Sequence, residues 1–129
     1  ILNLVGVQKP IGHTIAGQDL AVPLSGKQDP THETNFLMHF PHDHRSSNFT
    51  SLRKVDWKLI YHYFPGEKEV QPERYELFNL KTDPSESNNL ASSHPRALSA
   101  MVEAMIQQLD HEGALYCEKD GKAIKPVMP

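Results

Sequence analysis

The chain has 129 residues, 38% of them hydrophobic, which suits one domain with a modest core. Thirteen Lys and Arg against sixteen Asp and Glu give a formal charge of -3, so the chain carries no electrostatic footprint for nucleic acid. Mean hydropathy is -0.53 and apolar runs are only a few residues long, which excludes a membrane-spanning helix, and the single cysteine, Cys117, excludes an intrachain disulfide.

Ile1-Leu2-Asn3-Leu4-Val5-Gly6 reads as the last turns of an apolar helix stopped by Gly6. A helix so short has no independent stability, so the chain is expected to be cut from something longer. Residues 8–33 are rich in Pro, Gly, Asp and Gln and read as an irregular connection with one short helical turn around Gln18 to Leu24. A loop of that length is unusual inside a compact domain and is expected to lie against a neighbouring body.

Four extended segments follow. Asn35 to Phe40 is apolar enough for a strand; Thr50 to Val55 and Trp57 to Phe64 form a hairpin around Val55-Asp56; Tyr75 to Leu80 supplies the fourth. Alternation places Trp57, Leu59, Tyr61 and Tyr63 on one face, with Lys58, Ile60 and His62 on the other. Short connections favour an antiparallel sheet. Leu98, Met101, Val102, Met105, Ile106 and Leu109 then recur along one side of a helix running from Pro95 to Gly113, with Ser92 or Ser93 as its cap. The expected fold is α+β: a small antiparallel sheet of about four strands with one long C-terminal helix packed on one face. Residues 1–33 are then a connecting segment, 34–114 the subdomain and 115–129 a polar tail.

Between the last strand and the helix lies Asp83-Pro84-Ser85-Glu86. Asp83 suits an N-cap, Pro84 the first helical position, and Glu86 the third, from which it would reach back to the cap. The wider run, Tyr75-Glu76-Leu77-Phe78-Asn79-Leu80, then Asp83-Pro84-Ser85-Glu86, then Asn89-Leu90-Ala91, resembles the closing segment of the sulfatase family. Gly17-Gln18-Asp19-Leu20-Ala21-Val22-Pro23-Leu24-Ser25-Gly26 is similar to the stretch that precedes that family's last subdomain, although Ala16 replaces the usual acidic residue and Ser25 the second leucine.

The resemblance implies a C-terminal subdomain of a sulfate-ester hydrolase whose catalytic body is absent from this chain. Such a parent would hydrolyse sulfate monoesters, of a sulfated glycan or an aryl alcohol, with a formylglycine nucleophile and a calcium or magnesium ion. Cys117 is followed by Glu118, Lys119, Asp120 and Gly121, without the proline and arginine of the family's Cys/Ser-x-Pro-x-Arg motif, so it is not that nucleophile. The carboxylates that hold the cation are also missing. The chain alone is expected to be inactive and to carry no metal or cofactor, its main partner being the N-terminal catalytic domain. A periplasmic or extracellular location is expected of the family.

One cluster suggests chemistry: His39-Phe40-Pro41-His42-Asp43-His44-Arg45. Imidazoles and a carboxylate this close could ligate zinc, but Pro41 breaks regularity and no second ligand pair has finger-like spacing. The segment reads equally as a polar loop with ordinary histidines. The resemblance adds a third reading, a loop at the mouth of the cleft where His39 or His42 hydrogen-bonds a substrate and Arg45 meets an anionic group. Arg53 is expected to contact the absent body. A rival reading is a stand-alone module using the His39–Arg45 loop for a metal or an anionic glycan; another is a subdomain of an unrelated phosphoesterase. Asn48-Phe49-Thr50 is a glycosylation sequon, read as a chance occurrence.

Overall fold

Aromatic and aliphatic residues in alternation build the sheet, and the computed structural model describes it within residues 2–12, 19–27, 35–42, 48–66 and 73–129. Strands β1 (Phe36–Phe40), β2 (Phe49–Lys54), β3 (Trp57–His62) and β4 (Tyr75–Asn79) lie antiparallel in chain order. The register sets Leu37, Leu52, Leu59 and Leu77 in one row across all four strands. That row and its neighbours Tyr61 and Tyr63 form the core face, as the alternation requires. β2 and β3 are joined by the two residues Val55 and Asp56, with Val55 in the left-handed region at φ 55°.

Helix α2 (Pro95–His111) covers this face with Leu98, Met101, Val102, Met105 and Leu109, all buried; Ile106 is only partly so. The expected serine cap does not form. His94 holds the capping position without a side-chain hydrogen bond, and the Ser93 hydroxyl turns back to the Leu90 carbonyl at 3.2 Å and to His94 Nδ1 at 2.9 Å. Gly113, at φ 62°, ends the helix with Ala114 N–H bonded to the Leu109 carbonyl at 3.0 Å.

Beyond the helix, Ala114, Tyr116, Cys117 and Ile124 pack against the core. Two further short strands, β5 (Glu118–Lys119) and β6 (Lys122–Ala123), pair across Asp120-Gly121. Both turn residues have positive φ, which is what a two-residue hairpin favours. The Tyr75 hydroxyl donates to the Val127 carbonyl at 3.0 Å and ties the end of the chain to β4.

The Asp83–Glu86 segment corrects a second local expectation. It is a turn rather than the start of a helix, with Glu86 N–H on the Asp83 carbonyl at 3.2 Å and Glu86 itself at φ 55°. The Glu86 carboxylate does not reach back to the cap. It accepts both its short bonds from Lys58 Nζ on β3, at 2.7 and 2.6 Å. Asp83 instead accepts from Asn88 N–H at 2.9 Å. A charge-assisted pair across the sheet outcompetes a local cap.

Residues 1–33 and 34–129 are two separate compact units. In the first, a 3-10 turn (Asn3–Val5) closes on Gly6 at φ 70°, and α1 (Ala21–Leu24) starts beside Asp19. The Asp19 carboxylate joins the two, accepting from Ala21 N–H at 2.9 Å and from the Asn3 amide at 2.8 Å.

Candidate functional site

His39 stands one residue before the end of β1, opposite Thr50, and its ring turns toward the core side of the sheet. Its Nε2 lies 2.6 Å from the Leu115 carbonyl and its Nδ1 2.7 Å from the Thr50 hydroxyl. A carbonyl only accepts, so Nε2 carries the proton. In the neutral ring, Nδ1 then accepts from Thr50, whose oxygen in turn accepts from the Tyr63 hydroxyl at 2.8 Å. Burial pushes the Tyr63 phenol well above its usual range, which keeps it a donor. Thr50 is fully buried, and the Tyr116 ring meets that of His39 edge-on at 5.6 Å. Both ring nitrogens of His39 are thus engaged within the chain, where they fasten the segment after α2 to the sheet.

His42 is differently placed. It is exposed just beyond β1, with its ring edge-on to Phe40 at 6.3 Å. The Asn48 amide donates to the Pro41 carbonyl at 2.8 Å and so links the residue after β1 to the residue before β2. Arg45, with Asp43 and His44, lies outside the described residues. The same geometry bears on the sequon: the Asn48 nitrogen is already committed to Pro41, and Thr50 is sealed in the core.

The sheet's other face holds a pair that spacing alone does not reveal. His62, buried, lies with Nε2 2.8 Å from a carboxylate oxygen of Glu76 on β4. Alternation assigned His62 to this face; its partner emerges only from the β3–β4 register, which sets Ile60 opposite Glu76. On the core side, Arg74 donates to the Tyr61 hydroxyl at 2.9 Å and its guanidinium sits 5.8 Å from that ring's centre.

Among the described residues, no three His, Cys, Asp or Glu side chains come together as a metal site would require. Burial raises the thiol of Cys117, which holds it in the protonated, unreactive form. A shallow depression of about 260 Å³ lies between the end of β2 and α2, lined by Asn35, Leu52, Lys54, Ala104, Gln107 and Gln108. Lys54 is its one titratable lining group, so it offers no acid–base pair.

Residues 1–113 match the family described as N-sulphoglucosamine sulphohydrolase, C-terminal, and the chain belongs to that family. It is 32% identical over 131 residues to an uncharacterised sulfatase of Schizosaccharomyces pombe, a match covering 93% of this chain and 21% of that protein. The fold is shared with a protein solved in complex with its substrate D-glucosamine-2-N,6-O-disulfate (TM-score 0.62, 22% identity, 87% of this chain and 22% of the other). It is also shared with a 2-O GAG sulfatase (TM-score 0.67, 16% identity, 98% of this chain and 29% of the other). The chain therefore spans between a fifth and a third of the length of these relatives.

Proposed function

We propose that this chain is the closing subdomain of a sulfuric ester hydrolase, and that the reacting groups reside in the remainder of the polypeptide. The family match over residues 1–113 carries this reading, together with the small share of each relative that the chain covers. Formylglycine and a calcium or magnesium ion would belong to that remainder.

Of the three residues expected at the substrate, His42 stands exposed just beyond β1 and Arg45 follows it in sequence outside the described residues, and we assign these two the contact. An exposed imidazole and a guanidinium suit the hydroxyls and anionic groups of a sulfated glycan, the class to which the disulfated glucosamine bound by one structural relative belongs. His39 is assigned to holding the loop's strand in place, because its two nitrogens already have partners. A periplasmic or extracellular setting would suit such a substrate.

The test compares the complete polypeptide with this 129-residue chain on a sulfated glucosamine and on an aryl sulfate. Turnover by the complete polypeptide alone is expected; turnover by the 129-residue chain would end the reading. Within the complete polypeptide, His42→Ala should lower kcat/KM on the glycan about tenfold and leave the small aryl sulfate nearly unaffected. Equal loss on both, or on neither, would remove His42 from the substrate. Tight glycan binding by the short chain alone would favour an independent binding module.

A further inference from the structure

On the core face of the sheet, the apolar row Leu37, Leu52, Leu59 and Leu77 gives way at one end to a row of another character. There Lys54 pairs with Trp57, and Trp57 with Asn79. Asn35 stands one residue before β1, beyond the Phe36–Arg53 pair, and so falls beside Lys54. Asn35, Leu52 and Lys54 make the floor of the depression between β2 and α2. Ala104, Gln107 and Gln108, spaced i, i+3 and i+4 on the helix, make its wall. Leu52 is buried, Ala104 and Gln108 are half-buried, and Lys54 and Gln107 are exposed. Among the described residues, the Asn35, Lys54 and Gln108 side chains have no hydrogen-bond or ionic partner, and the Gln107 amide reaches only Glu103, at 3.5 Å.

This lining selects one class of ligand. A carboxamide offers both a donor and an acceptor, as a sugar hydroxyl does, and three of them surround a space of about 260 Å³. Lys54 adds the only charge of the lining, with no carboxylate there to neutralise it. Leu52 and Ala104 supply an apolar patch for the C–H face of a ring. A half-buried carboxamide without a partner, such as that of Gln108, favours a ligand that brings its own polar groups. The volume falls below the roughly 300 Å³ at which sites for drug-sized ligands begin, which suits one sugar ring and leaves no room for a peptide segment.

We propose that the groove between β2 and α2 binds a single anionic sugar unit, sulfated or carboxylated. The anionic group meets Lys54 Nζ, and the ring hydroxyls exchange hydrogen bonds with Asn35, Gln107 and Gln108. The site holds the sugar without acting on it, because Lys54 is alone among its titratable groups. A polymeric glycan gripped here stays at the protein between encounters, which raises its effective concentration. The class of ligand follows from the lining; that the sugar belongs to a sulfated glycan rests on the reading of the parent as a sulfuric ester hydrolase.

Lysine acetylation followed by peptide mass spectrometry tests the site in the complete polypeptide, with exposed Lys122 on β6 as the internal reference. N-acetylglucosamine 6-sulfate and glucuronate distinguish the two anionic groups. At about 10 mM, at least one of them should slow acetylation of Lys54 about tenfold and leave Lys122 unchanged, which corresponds to a Kd on the order of 1 mM. Glucose and inorganic sulfate each carry half of the recognised chemistry and should slow it only about twofold. Gln108→Ala should raise the concentration of the protecting sugar needed for half-protection about fivefold and leave that of inorganic sulfate unchanged. No protection by either anionic sugar would overturn the proposal. Equal protection by inorganic sulfate would overturn it in favour of a bare anion site, and equal protection by glucose in favour of a neutral one. Lys54 already slow to react before any ligand is added would overturn it as well, because another part of the polypeptide then fills the groove. Turnover of an aryl sulfate by the same preparation reports on the enzyme reading alone, so the two fail independently.

Discussion

The carboxamide of Asn89 stands beside Leu77 where a further strand would otherwise pair. Its oxygen accepts from Leu77 N–H and Ala91 N–H, both at 3.0 Å, and its nitrogen donates to the Tyr75 carbonyl at 3.1 Å. Leu90 N–H completes the row on the Leu77 carbonyl at 2.8 Å. One side chain thus satisfies the outer edge of β4 and blocks its use by another strand. Asn89→Ala should destabilise the chain by about 3 kcal/mol in urea unfolding, given net values near 1 kcal/mol for each of its three bonds. It should also raise the tendency to aggregate. Asn89→Asp, which keeps the acceptor and loses the donor, should fall between the two.

Thr50 and Tyr63 present a buried case. The two hydroxyls are 2.8 Å apart, Thr50 has no accessible surface and Tyr63 only 2%. Thr50→Val preserves shape but strands the Tyr63 phenol and one nitrogen of His39, and is expected to cost about 2 kcal/mol. Tyr63→Phe should cost nearer 1 kcal/mol, because Thr50 keeps its bond to His39. In a double-mutant cycle the two changes together should cost clearly less than their sum; additive losses would show that the hydroxyls do not interact.

Much of this fold is legible in the sequence, for local reasons. Trp57 to Tyr63 alternate with a period of two, and the stripe from Leu98 to Leu109 repeats every three to four residues, so each element's buried side follows from spacing alone. The errors share a cause. Asp83-Pro84-Ser85-Glu86 carries a helix-start signal, yet Glu86 is drawn to Lys58, 28 residues earlier in sequence. Ser93 is eligible to cap α2, yet its hydroxyl satisfies the Leu90 carbonyl. His39 is fastened by Leu115, 76 residues away, and no reading of the His39–Arg45 cluster by itself could supply that partner. Where a side chain's best partner is distant, spacing identifies the face and not the contact.

Val55 is a β-branched residue in the left-handed region, 60% exposed and without packing to justify the strain. Val55→Asn or Val55→Gly should therefore stabilise the hairpin, by about 1 kcal/mol in thermal or urea unfolding. A loss of stability in both variants would mean that the valine side chain contributes packing that outweighs its backbone conformation.

The turn at Asp83 sets a pH dependence. Hydrogen bonds from the Ser87 and Asn88 backbone N–H groups hold its carboxyl below the usual carboxylate range. A depressed folded-state value favours the native state above the unfolded-state pKa, and that contribution fades as the pH falls through the folded-state value. Asp83→Asn should thus be less stable than the parent at about pH 7, with the difference narrowing toward about pH 2. A difference that widens on acidification would reverse the assignment.

Met105 and Ile106 separate the helix's buried row from its margin. Both fall on the apolar stripe, and spacing alone makes no distinction between them. In the structure Met105 has no accessible surface, whereas Ile106 is only partly buried against the core. An aspartate at 105 must either bury its charge or take up a proton in an apolar site, and no partner among the core residues around it can compensate. Met105→Asp should therefore abolish cooperative unfolding, since losses above about 4 kcal/mol exceed what a domain this small can spare. At 106 the carboxylate can swing toward water, and the expected loss is about 1 to 2 kcal/mol with the unfolding transition retained. Near-equal effects of the two substitutions would mean that the helix is rotated about its axis from the orientation in which Met105 is buried in the core and Ile106 lies at its margin.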